Sequence, residues 1–116
     1  MDIYHVWCEL KPGMRDMDFA SNIATFLGRL RDQGKISGWR ITRRKLGLGQ
    51  PSLGDFHIMI ETEDLAQLDA AFQHVATRTG EVEEQHFAVN SMATNLRFAL
   101  YRDFPDAVRQ TGGERF

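Results

Sequence analysis

The chain has 116 residues, 42% of them hydrophobic and 26% charged, with a formal net charge of -2. That length suits one domain with a single core needing no disulfide support. The slight acidic balance argues against general affinity for nucleic acid or an anionic membrane, both of which call for surplus Lys and Arg, and no apolar run approaches the roughly 18 residues of a membrane span.

The single cysteine, Cys8, cannot form an internal disulfide, which favours a reducing compartment. The opening MDIYHVWCEL enters a strand pattern at once, without the basic start and apolar run of a signal peptide. A cytoplasmic protein is therefore expected.

Residues 3–10 are rich in β-branched and aromatic side chains and read as a first strand, broken by Pro12-Gly13. Asp16 or Asp18 can then cap a helix running to about Gln33, with Phe19, Ile23, Phe26, Leu27 and Leu30 on one stripe. Gly34 stands where a left-handed C-cap is expected. Residues 39–46 form a second strand, 47–54 a long Gly- and Pro-containing hairpin loop, and 56–61 a third strand. Thr62 or Asp64 starts a helix with Leu65, Leu68, Phe72 and Val75 inward, and Gly80 ends it. A short helix over 81–93 carries Val82, His86 and Val89 in step, and 95–102 is the last strand. Residues 1–106 are expected to form a single domain, with 107–116, including Gly112-Gly113, a loosely held tail.

The order β-α-β-β-α-(α)-β predicts an α+β, ferredoxin-like domain with a four-stranded antiparallel sheet and helices on one face. Strand side chains alternate faces, which divides every strand in two. Tyr4, Val6, Cys8, Leu10, Trp39, Ile41, Phe56, Ile58, Ile60, Leu96, Phe98 and Leu100 form the set expected against the helices. The complementary set is His5, Trp7, Glu9, Arg40, Thr42, Arg44, His57, Met59, Glu61, Arg97, Ala99 and Tyr101. A wet sheet face is usually short and polar. Trp7, Met59 and Tyr101 are poor occupants for one, so a second copy is expected to cover this face and form a homodimer, burying on the order of 1,600 Å².

The element order, the polar inner sheet face and the extra short helix before the last strand resemble the dimeric α/β-barrel superfamily, over about residues 3–106. The ending NLRFALYRDFPD, preceded by HFAVNSMA, is similar to a small uncharacterised bacterial family within it. The resemblance implies a dimeric barrel. The superfamily includes small monooxygenases, haem-degrading enzymes, muconolactone isomerase-like and dismutase-like proteins, and stress-responsive proteins, so the fold constrains chemistry little. No catalytic motif of those enzymes aligns residue by residue here, and no role is carried over.

The candidate chemistry lies on the outer set. His5 and His57 occupy neighbouring strands, with Glu9 and Glu61 two or four residues away. A partly buried His near a carboxylate can serve as general base, which makes His5, His57 and Glu61 the catalytic candidates. Trp7, Arg40, Arg44, Met59, Arg97 and Tyr101 are the candidate ligand-binding residues, in a polar cleft suited to a small molecule, an anion included. The bland alternative is a hydrogen-bonded interface lining in which the arginines pair with Glu9 and Glu61.

No close ligand spacing fixes a metal site, and Glu83-x-x-His86 occurs once, outside any four-helix bundle. Neither metal nor cofactor is expected. Arg40, Arg43, Arg44 and Lys45 read either as an anion site or as charges guarding an edge strand. Residues 55–61 lack the Gly-aromatic pattern that stacks RNA bases. Gly47-Leu-Gly49 joins strand to strand and reads as a flexible hairpin, a candidate lid, while Cys8 faces the core as an inert packing residue. Two functions stay open: a homodimeric small-molecule-binding protein, or a cofactor-independent enzyme of the monooxygenase or isomerase kind using His5 or His57 as base.

Overall fold

The computed structural model describes residues 1–105. The tail expected over 107–116, and Asp106 before it, lie outside the described residues. The elements are β1 (Asp2–Leu10), α1 (Asp16–Asp32), β2 (Gly38–Arg43), β3 (Phe56–Thr62), α2 (Leu65–Ala76), α3 (Gly80–Asn90) and β4 (Ala93–Arg102). The strands form one antiparallel sheet in the order β2-β3-β1-β4. This is the ferredoxin-like α+β fold expected from the pattern, with the core between the sheet and one layer of helices.

The stripe on α1 does what its spacing implies. Phe19, Ile23, Phe26, Leu27 and Leu30 are buried and pack against Cys8, Phe56 and Ile58 of the sheet. Neither aspartate is the N-cap, however. Arg15 holds that position without a side-chain cap bond, and Asp16 instead accepts from the Met17 amide and from Arg43 at 2.9 Å. Both aspartates still place negative charge at the positive end of the helix dipole. At the other end Gly34 (φ 71°) does adopt the left-handed cap. The Gly34 amide donates to Arg31 and the Lys35 amide to Leu30, the paired bonds of a Schellman motif.

Several boundaries differ from expectation, while α2 starts from one of the two residues expected. β2 stops at Arg43, whose partner Phe56 begins β3, and the chain then turns through Leu46 (φ 55°) and Gly47 (φ 69°) rather than extending to Leu46. α2 starts after Asp64, which accepts from the Gln67 amide at 2.8 Å, whereas Thr62 is the buried last residue of β3, its hydroxyl donating to the Asp2 carbonyl. Gly80 does not end α2, which closes at Ala76; after Arg78 (φ 55°), Gly80 opens α3. α3 ends at Asn90 because Ala93 already pairs with Leu10 in the sheet.

The face division holds through the register. Trp7 lies opposite both His57 and Arg97, and His5 opposite Met59 and Ala99. Between Trp7 and Glu9 the register slips by one residue, because Glu9 pairs with Thr94. Asn95 (φ 54°) takes up the extra position, a left-handed bulge residue that lets Leu96 and Arg97 keep their assigned faces. The inner set is not uniformly buried. Phe98 and Leu100 are 58% and 52% exposed, and Phe72 of α2 is 47% exposed. β4 is one of the two edge strands, and the helical layer leaves its far end uncovered.

Candidate functional site

On the helix-free face the structure gathers His5, Trp7, His57 and Tyr101 into one cluster. Trp7 and His57 are direct cross-strand partners, and their rings stack with centroids 4.4 Å apart. His5 is diagonal to His57, and its ring stacks on both Trp7 (5.5 Å) and His57 (5.1 Å). Tyr101 closes the other side with an edge contact to His5 at 4.9 Å.

His5 Nδ1 and His57 Nε2 share a hydrogen bond of 2.8 Å. One ring must donate and the other accept, so the pair carries a single proton between those two atoms. Burial pushes the pKa of each imidazole below its ordinary value, and for His57 the neighbouring His5 pushes it further. Both rings are therefore neutral at pH 7. Protonating one leaves a charge-assisted bond, whereas protonating both sets N–H against N–H and breaks it. His5 Nε2 is buried and has no hydrogen-bond partner among the described residues.

The carboxylates expected beside these histidines lie elsewhere. Among the described residues no Asp or Glu forms an ion pair with His5 or His57. Glu61 lies opposite Ile3 and Gly38, and its Oε2 would be 3.2 Å from a Cβ at Gly38. Met59 sits at the centre of the face, half-buried, opposite His5 and Arg40. Arg40 on β2 and Arg97 on β4 flank the cluster from the two sides, both exposed and without an ion pair among the described residues. Among the described residues Arg97 donates to the Leu96 carbonyl alone, at 2.9 Å. Within one chain neither arginine pairs with Glu9 or Glu61.

Arg44 does not join the group. Standing beyond the end of β2, it donates to the carbonyls of Gln50 (2.8 Å) and Leu53 and lies 3.8 Å from Asp55. Its guanidinium braces the loop 44–55, a consequence of β2 being shorter than the pattern implied. Cys8 is buried in the core, where burial and then Glu9 push its thiol up to about 11, as its inward placement implied. Among the described residues no three His, Cys, Asp or Glu side chains converge as a metal-ligand set, and no helix is long and apolar enough to cross a membrane.

The strand pattern assigned the histidines to one face but missed the bond between them. Aligning Trp7 opposite His57 would have placed His5 diagonal to it. His86, in step with Val82 and Val89, turns inward as that spacing implies, and its ring packs 5.4 Å from Phe26.

Solved structures with this fold include a cofactor-independent oxygenase from Streptomyces nogalater, SnoaB, at TM-score 0.68 and 9% identity over 93% of this chain and 97% of that one. A protein from Arabidopsis thaliana aligns at TM-score 0.71 and 10% identity, covering 93% and 100%. A dimeric ferredoxin-like protein of unknown function from Jannaschia sp. CCS1 aligns at 0.64 and 15% identity, covering 89% and 100%. At these identities the likeness concerns the fold. No curated protein sequence matches the chain. Its sequence does match one family model across residues 1–116, and the chain belongs to that family, a family of unknown function (DUF6614).

Proposed function

We propose that the protein is a homodimer joined through its helix-free sheet faces, with a polar cleft between the sheets that binds a small anionic molecule. The observation that carries this reading is the His5–Trp7–His57–Tyr101 cluster, an ordered aromatic and imidazole stack on a face no helix covers. Such a stack, with half-buried Met59 beside it, is unusual for permanent exposure to water. In the cleft, Arg40 and Arg97 hold the anion and Trp7, Met59 and Tyr101 wall it. The dimer extends to the dimeric α/β barrel expected from the sequence.

Met59→Asp buries a carboxylate at the centre of that interface and is expected to weaken the dimer by roughly 100-fold or more. Sedimentation at micromolar concentration reads both species. A monomeric wild-type chain would overturn the proposal.

The hydrogen bond between His5 and His57 favours a second reading, a cofactor-independent enzyme of the monooxygenase or isomerase kind. Neutral at pH 7, the pair is poised to take a proton, with His57 as base and His5 orienting it. His57→Ala would then abolish turnover of the bound anion and leave the dimer intact; a dimer that falls apart instead assigns His57 a structural role.

A further inference from the structure

The helical side of the sheet holds a cavity of about 250 Å³, remote from the histidine cluster and unused by either reading above. Its floor includes Phe26 and Ile58, its walls Val75 of α2 and Val89 of α3, and Phe72 and Phe98 border it where α2 parts from β4. Those two bordering aromatics are half exposed, so the cavity opens to solvent beside the uncovered end of β4. Protein interiors rarely keep voids larger than a water molecule, and this one has the volume share of about eight waters. Water is a poor filler, since few polar groups line the space to hold it.

No Lys, Arg, Asp or Glu borders the cavity, which excludes a charged occupant because nothing would offset its desolvation. The lining is chiefly aliphatic, with the rings of Tyr4, Phe26, Phe72 and Phe98 set among it, and since an apolar cavity of about 150 Å³ already accepts benzene, this one has room for two fused rings. Tyr4, Asn90 and His86 break the apolar wall, and of these His86 has a buried ring nitrogen left without a partner among the described residues. His86, on α3, borders the cavity, and its imidazole has no hydrogen-bond partner among the described residues; Glu83 is 4.0 Å from its Nδ1, too far for a hydrogen bond. Burial and then Arg78 hold its pKa below the ordinary value, against the opposing effect of Glu83, so the ring is neutral at pH 7.

We infer that this cavity is a binding site for an uncharged, bicyclic aromatic molecule carrying one hydroxyl or carbonyl group, which His86 hydrogen-bonds. α2 and α3 flank the entrance, and few contacts join them to each other. α3 is held chiefly to α1, by Arg29 pairing with Glu81 and by Asn22 donating to the Ala88 carbonyl. The two helices can therefore part to admit a flat ligand without disturbing the sheet.

N-phenyl-1-naphthylamine, which brightens in apolar surroundings, is expected to bind the full-length protein saturably, one per chain, and to be displaced by 2-naphthol. Val75→Trp projects an indole into the cavity and should abolish uptake of a two-ring ligand. His86→Phe preserves volume and should weaken 2-naphthol about ten-fold, the worth of one hydrogen bond, while leaving naphthalene unchanged. Should Val75→Trp fail to fold, methyl NMR of the wild-type protein decides: 2-naphthol must shift Ile23, Leu96 and Val89. Non-saturable uptake overturns the inference, as does uptake unaffected by Val75→Trp or shifts centred on Met59 of the opposite face. Equal losses of 2-naphthol and naphthalene in His86→Phe remove the assigned hydrogen bond and overturn it likewise. The dimer proposal is read separately, by sedimentation.

Discussion

Gly54→Ala is expected to destabilise the protein by about 3 kcal/mol, the upper part of the range for overpacking a filled interior, and to lower its melting temperature by roughly 10 °C. Gly54 is buried at the end of the loop 44–55, where it crosses β1. A Cβ there would overlap the Cys8 carbonyl and stand 2.9 Å from the Cys8 Cα. The obstacle is backbone, and no rotamer change relieves it. Cys8 cannot yield either, because β1 is a central strand whose ladders run to β3 on one side and β4 on the other. Gly28 is the control. It lies within α1, and a Cβ there meets nothing within 4 Å. Gly28→Ala should stabilise by about 0.5–1 kcal/mol, the helix-propensity gain over glycine. Urea unfolding of the two variants checks both. A Gly54→Ala protein within 0.5 kcal/mol of wild type, on the order of an ordinary surface change, would show that the loop does not approach β1 this closely.

The second expected result is a loss of stability on mild acidification, carried by histidine. His5, His57 and His86 all have folded pKa values below the ordinary 6.5, with burial the first cause in each. The unfolded chain therefore binds more protons than the folded one as the pH drops below 6.5, and folding stability rises with pH across that window. The contribution is complete above 6.5, is lost as the pH falls from there toward the folded values, and stays lost below them. Within the cluster the two sites are coupled: the first proton leaves a charge-assisted bond, while the second breaks the bond between His5 and His57 and is taken up only at lower pH. Urea unfolding at pH 8, 7, 6 and 5 measures the slope. His57→Gln removes one titrating group and one partner, and should flatten the profile. A slope of the opposite sign, or a profile unchanged by His57→Gln, would contradict the neutral, hydrogen-bonded pair.

Both results depend on features of different legibility. The division of each strand into two faces follows from period-two alternation, so Trp7, His57, Arg97 and Tyr101 could be assigned to one face without coordinates. The same alternation could not say how far a strand runs. The strand expected over 39–46 outruns the ladder, which ends where β3 begins at Phe56. That single shortening turned Arg44 from a candidate ligand-holding residue into a brace for its own loop. Nor does alternation say what covers a face. Phe98 and Leu100 are apolar and point to the helical side, but strand order places them at an edge the helices do not reach.

By itself, then, the sequence determined the element order, the stripe of α1, the Gly34 cap and the two faces, because each depends on neighbours within a few residues along the chain. The tertiary structure alone decided the bond between His5 and His57, the separation of Glu61 from both, the close pass of Gly54 over Cys8 and the cavity beside His86. Those depend on register, on the bulge at Asn95 and on how helices seat against a sheet. Each joins residues distant in sequence, and small differences in packing free energy select among arrangements that local pattern leaves equivalent.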